Sequence, residues 1–407
     1  MEFRNLTPFA TLCYKMLDNA DQEHQVVVMQ VSYSLQPQGA GVYHAQLQDQ
    51  PATPLCLQDT YRGALNTSSV LRESDLAPYK PACDVIVNGT AIAPGGKPST
   101  QFAVNLQLSS ATQGVLLEKT LTVSGARQFQ REALDKPWQL TEPEPLTHLP
   151  LDYRYAFGGE CRIDADSDAA ERLASECYLN ETQRRAHPDF PQAPLAHWVC
   201  EHNPLGQGFL APAYAEASQL LSWPAPHIEA SHAPLTAEMF AQQHEHTGNP
   251  PPACLPQGFG TVGRAWLPRR TLAGTYDDTW LAERHPYLPG DFNFSYWNGA
   301  PADQQIAFPP ADLTLQLTNM TPEGLLHTTL PGHRALVLLR LHNGAFFPQL
   351  MPLDTLIIDT DQRQLHLTYR LLLPVTEDIR VLEARFEVNP HAPLLRVASP
   401  QERTHGR

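Results

Sequence analysis

The sequence predicts a mainly β protein. Two β-sandwich-like units, residues 1–145 and 311–407, are joined by a long, largely irregular segment, 146–310, with a few short helices. Three observations carry this expectation. Apolar runs with strand character lie near the two ends of the chain. Proline makes up 38 of the 407 residues, close to twice the ordinary usage of about 5 %. Prolines spread this widely break long helices and suit short strands joined by fixed turns. Between the two ends, glycine, proline, histidine and aromatic residues dominate and periodicity fades.

In the first unit, the apolar, β-branched run Val26–Tyr33 reads as a buried strand. Gln101–Leu108 alternates, with Phe102, Val104, Leu106 and Leu108 on one face, the period-two mark of a half-buried strand. Val115–Val123 follows a polar turn and is its expected antiparallel partner. Asp84–Val87 ends in Asn88-Gly89, a strong hairpin signal. In the central segment two short helices are expected, over 166–177 and 236–246, the first with Asp and Ser available as caps. Strand patterns return at 313–317, 335–341, 354–360, 364–373 and 379–388, with a tight connection at Asp359-Thr360-Asp361. The tail from Asn389 is polar and is expected to fray.

Charge narrows the partners. Lys and Arg number 28 against 43 Asp and Glu, a net charge of −15. Phosphate-bearing partners are repelled by such a surface, so neither nucleic acid nor an anionic membrane is the expected partner. The seven cysteines are odd in number and widely spaced, with no C-x-x-C, which points to free thiols in a reducing compartment. No signal-peptide pattern opens the chain, and no run is long and apolar enough for a membrane helix. The expected location is the cytoplasm.

The search for chemistry is mostly one of exclusion. Gly258-x-Gly260-x-x-Gly263 has the letters of a dinucleotide fingerprint, but Pro256 precedes it and Trp266-Leu267-Pro268 follows. The required strand before and helix after are missing, and no cofactor is expected. Histidines and acids gather as Glu201-His202, His227 with Glu229, His232, and His244-Glu245-His246, without metal-ligand spacing. No metal is expected. No G-x-S-x-G elbow occurs, and Cys161, after Gly158-Gly159-Glu160, reads as a buried thiol rather than a nucleophile.

The densest stretch is Leu288–Gln304, where Phe292, Phe294, Tyr296 and Trp297 fall between the turns Pro289-Gly290 and Asn298-Gly299. Upstream lie Gly274–Trp280 and Gly258–Trp266. Rings at this density are either a packed centre or an exposed partner surface. Asp277, Asp278, Asp291 and Asp303, with Trp280 and Trp297 as stacking platforms, also allow a glycoside hydrolase, which needs two carboxyls about 5–10 Å apart. Asp277 and Asp278 fit a turn after Gly274 equally well.

The motifs occur in a distinctive order. They begin with Phe3-Arg4-Asn5-Leu6-Thr7-Pro8-Phe9, then Ala82-Cys83-Asp84-Val85-Ile86-Val87-Asn88-Gly89-Thr90-Ala91, then Leu149–Gly159, LPLDYRYAFGG. Next come Asn203-Pro204-Leu205-Gly206-Gln207-Gly208-Phe209, Pro226-His227-Ile228-Glu229 and Pro256-Gln257-Gly258-Phe259-Gly260. Ala273-Gly274-Thr275-Tyr276-Asp277, Leu288-Pro289-Gly290-Asp291-Phe292 and Ala300-Pro301-Ala302-Asp303-Gln304 close the series. Over about residues 1–375 this resembles a bacterial family of unknown-function domains associated with type VI secretion.

The resemblance implies a non-enzymatic adaptor or chaperone whose partner is a type VI effector, the VgrG–PAAR spike, or both. It supplies no catalytic residues. It implies architectural roles for Gly158, Gly159, Asn203, Gly206, Gly208, Gly258, Gly260, Gly274, Asp277, Asp291 and Asp303. Where family members carry a Gly-Asp-Arg-x-Trp type of segment, this chain has Gly125-Ala126-Arg127-Gln128-Phe129, so no role is carried onto Ala126 or Phe129. The expected client surface is either a strand edge or the aromatic centre, with Tyr276, Trp280, Phe292, Tyr296 and Trp297 as the residues in contact. The oligomeric state is not legible.

Overall fold

A computed structural model describes residues 1–65, 67–243, 250–376, 378–394 and 396. The chain is mainly β, with short helices only among these residues. No described helix is long and apolar enough to cross a membrane.

The strands expected at both ends of the chain are present, but they do not form two separate sheets. In the largest sheet the order runs Ile228–Ala230, Gly114–Ser124, Gln101–Ser110, Leu313–Thr318, Leu325–Thr329, Val42–Gln48, Glu23–Gly39, Gln364–Pro374, Leu353–Asp359, Cys83–Asn88 and Gln305–Ile306. Ala10–Leu17 also pairs with Glu23–Gly39, alongside the main path. Leu106 thus lies opposite Leu317, and Met29 opposite Tyr369. Period-two alternation marks a strand and its buried face but carries no information on which strand it will join. That is why composition divides the chain at 145 and 311 while hydrogen bonding unites the two ends.

A second sheet, Glu2–Asn5, Ile379–Glu387, Arg334–Leu341 and Phe346–Leu350, packs on the first. One core contains Val27, Met29 and Leu106 from the large sheet and Val337, Leu339 and Leu382 from the small one. Phe9 meets Phe386 edge to face, with ring centroids 4.7 Å apart.

Asn88-Gly89 does not make the expected hairpin. Cys83–Asn88 runs parallel to Leu353–Asp359, and Thr90–Ile92 leaves to pair with His148–Pro150. Glycine is needed at 89 for a different reason: a Cβ there would lie 1.9 Å from Thr360 Oγ1.

The central segment is built on a smaller core of its own, including Phe129, Phe157, Leu210, Leu235 and Phe240, with Phe129 and Phe240 stacked at 3.8 Å. The helix expected over 166–177 is a short helix, Asp168–Arg172, followed by a 3-10 turn, Ser175–Cys177. Ser167 is its N-cap residue, but its hydroxyl bonds Asp164 O instead of capping the helix. In the second, Thr236 caps Ala237–Gln242. Its expected continuation, with His244 and His246, lies outside the described residues.

Candidate functional site

Asn203 and the glycines at 158, 159, 206, 208, 258 and 260 converge on one joint in the central segment. Asn203 is fully buried, and its Nδ2 donates to Tyr153 O at 2.8 Å and Phe157 O at 3.0 Å. Gly158 approaches this asparagine so closely that a Cβ would lie 2.2 Å from Asn203 O, and one on Gly206 would lie 2.5 Å from Asn203 Nδ2. Gly159 N donates to Asn203 O, and Gly158 pairs with Gly208 in a short parallel ladder. Tyr153 in turn packs edge-on against Trp266 and donates its hydroxyl to Gly260 O. A Cβ on Gly258 would sit 2.8 Å from the Tyr153 ring. These residues are an interlocked structural joint.

Asp303 belongs to a second network. Lys119 Nζ donates to Asp303 Oδ1, Gln304 Oε1 and Gly258 O, all within 2.9 Å. Burial pulls the Lys119 ammonium below its ordinary pKa, and the Asp303 charge opposes that. Nearby, Asp84 is completely buried and accepts from Lys80 Nζ, Asn298 Nδ2, Gly299 N and Ala300 N. A cavity of about 420 Å³ opens beside these groups, lined by Lys119, Tyr153, Trp266, Arg269, Asn298 and Asp303 among others.

The aromatic centre divides into an inner and an outer part. Phe292 is buried, which removes it from the expected contact residues: its ring packs against Phe294, Tyr296 and Trp297. Tyr296 and Trp297 are half-buried and held by guanidinium groups. Arg269 lies over the Tyr296 ring and Arg264 over that of Trp297. The buried Arg269 also donates to Tyr296 O, Val262 O and both oxygens of Glu73.

The outer part is the stretch after Gly274. That glycine has φ +82°, and a Cβ would lie 2.8 Å from Asp291 Oδ1, so the turn is reserved for glycine. Asp291 accepts from Thr275 N at 3.0 Å and Oγ1 at 2.8 Å, and these bonds hold its pKa below the ordinary carboxylate value. Asp277 caps the helix Asp278–Glu283 by accepting from Trp280 N. Tyr276, Leu281 and Tyr287 remain 54 %, 60 % and 46 % exposed, around a half-buried Trp280.

Asp303 lines the cavity, whereas Asp277 and Asp291 are not among its lining residues. Each of the three carboxylates already holds a structural bond. Among the described residues, no group of three His, Cys, Asp or Glu side chains is arranged to hold a metal ion. The seven cysteines are free, and burial raises the Cys161 thiol to about 11, far from a reactive thiolate.

Sequence reasoning overlooked the buried charges. Lys119 had a visible signal, since it shares the inward register with Leu117, Leu121 and Val123. A lysine on an apolar strand face demands a buried acceptor. Arg370, which is buried and bonded to Asp354 Oδ2 at 2.6 Å, had no such signal, since it shares its face of Gln364–Pro374 with His366 and Thr368.

Comparison with curated proteins and with solved structures gave no match. Residues 20–370 match a family described as an uncharacterized protein conserved in bacteria, DUF2169. The chain therefore belongs to this conserved bacterial family.

Proposed function

We propose that this protein is a non-enzymatic adaptor that holds a client protein through the exposed aromatic face around Asp278–Glu283. The observation that carries the reading is the exposure of Leu281 on the short helix Asp278–Glu283 and of Tyr276 and Tyr287 on either side of it, beside Trp280. Large apolar side chains gathered at a surface favour contact with another macromolecule. A rigid aromatic patch loses little conformational entropy on binding. The setting comes from the resemblance of the motif series to type VI secretion-associated proteins. In that setting the client is an effector, or its spike-binding region, held in the cytoplasm and passed to the VgrG–PAAR spike.

The hydrolase reading of Asp277, Asp291 and Asp303 has less support, because helix capping, a turn and the Lys119 pair occupy these carboxylates. The adaptor reading is tested by tagged purification from the native cells with mass spectrometry of the co-purifying proteins. A stoichiometric effector or spike protein, depleted in cells lacking the adaptor, supports it. A protein that purifies alone, with effector levels unchanged on its deletion, overturns it.

A further inference from the structure

Resting on the adaptor reading, we infer that the aromatic face docks a cationic segment of the client, one that pairs lysine or arginine with an apolar anchor. Tyr276 packs edge-on to Trp280 at 4.7 Å, and Trp280 to His285 at 5.3 Å. The Trp280 indole N–H is already committed to Tyr287 O at 2.9 Å. Trp280 therefore offers a partner only its ring, which attracts an apolar group or a cation over its face.

The charges around these rings choose between those two. From 276 to 291 the charged side chains are Asp277, Asp278, Glu283, Arg284 and Asp291. Arg284 is spent on both carboxylate oxygens of Asp21, at 2.8 and 3.0 Å. Asp278 and Glu283 are exposed and make no ion pair among the described residues. The face is thus aromatic with an uncompensated negative rim, and the net charge of −15 extends that potential. A second copy of this chain would set carboxylates against carboxylates. Complementarity favours a basic segment instead.

The face is also positioned in advance. Arg284 Nη2 donates to Asn19 O, and Asn19 Nδ2 donates to Phe292 O, which ties this element to the turn before Glu23–Gly39. A cationic segment would meet a fixed surface rather than order a loose one.

The probes are three labelled peptides of equal length and equal leucine content, with the remaining positions basic, neutral or acidic. Their binding to the full chain is read by fluorescence anisotropy at low and high salt. The basic peptide should bind about tenfold or more tighter than the neutral one, and lose that margin in high salt. Trp280→Ala, and separately Asp278→Asn with Glu283→Gln, should each weaken it by a similar factor while thermal melting stays close to wild type. Equal binding of the basic and neutral peptides, or binding untouched by both variants, overturns the inference. So does a dimer in sedimentation that Trp280→Ala dissolves. Failure here is separable from failure of the adaptor reading. Peptide preference lost in the variants supports a cationic site even if deletion leaves every effector at its normal level.

Discussion

Lys119 Nζ, buried on the inward face of Gly114–Ser124, donates to Asp303 Oδ1 at 2.9 Å across 184 residues of chain. The same ammonium serves Gln304 Oε1 and Gly258 O, so one side chain closes two motif loops onto the large sheet. Lys119→Met keeps the length but takes this donor from the buried Gln304 Oε1 and the half-buried Gly258 O. A loss of about 2 kcal/mol or more is expected, because stranding a buried polar group costs roughly 1–3 kcal/mol. Urea unfolding measures it, and a change of a few tenths would contradict the structural role.

Asn203 is the corresponding fastener of the central segment. Asn203→Ala removes the donor from Tyr153 O and Phe157 O and leaves a gap between Gly158 and Gly206. Tyr153 O keeps the Ala156 N–H, so the loss of the Phe157 O donor and the gap together imply a loss of about 2–4 kcal/mol, again read from urea midpoints.

Inner and outer aromatics should respond in opposite ways. Phe292→Ala should cost about 3–5 kcal/mol, the usual penalty for emptying a buried phenylalanine site. Leu281→Ser, at an exposed position, should stay within about 0.5 kcal/mol. Thermal melting of the two variants side by side is sufficient.

His366 gives the fold a pH dependence. Its Nδ1 meets Ser32 Oγ at 2.8 Å, and burial, helped by the Arg72 charge, lowers its pKa to about 4. Below pH 6.5 the unfolded chain takes up a proton here that the folded chain refuses until about pH 4. Stability from this group is therefore intact above pH 6.5 and is lost as pH falls toward 4, by up to roughly 3 kcal/mol. His366→Gln should flatten this part of a stability–pH profile measured between pH 7.5 and 4.5. An unchanged slope would contradict the assignment.

Most strands could be read from local pattern, because alternation such as Phe102-x-Val104-x-Leu106 reports the face each residue presents. Their partners could not be read. Leu106 meets Leu317 because of topology, and period-two sequence is equally compatible with many pairings. Gly89 shows the same limit, since a close approach to Thr360 and a hairpin turn both call for glycine. At the candidate site, aromatic density did not separate the buried Phe292 from the exposed Tyr276. Burial there is decided by distant groups such as Arg269 and Asn19, which periodicity does not reach.

The most direct measurement compares wild type with a Trp280→Ala, Leu281→Ser double variant, each purified with a tag from the native cells at matched expression. If the face holds the client, wild type should retain a stoichiometric partner and the folded variant should lose about nine-tenths of it, a shift of roughly 1.4 kcal/mol or more. Equal partner yield from both, with both folded, would contradict the aromatic face as the client site.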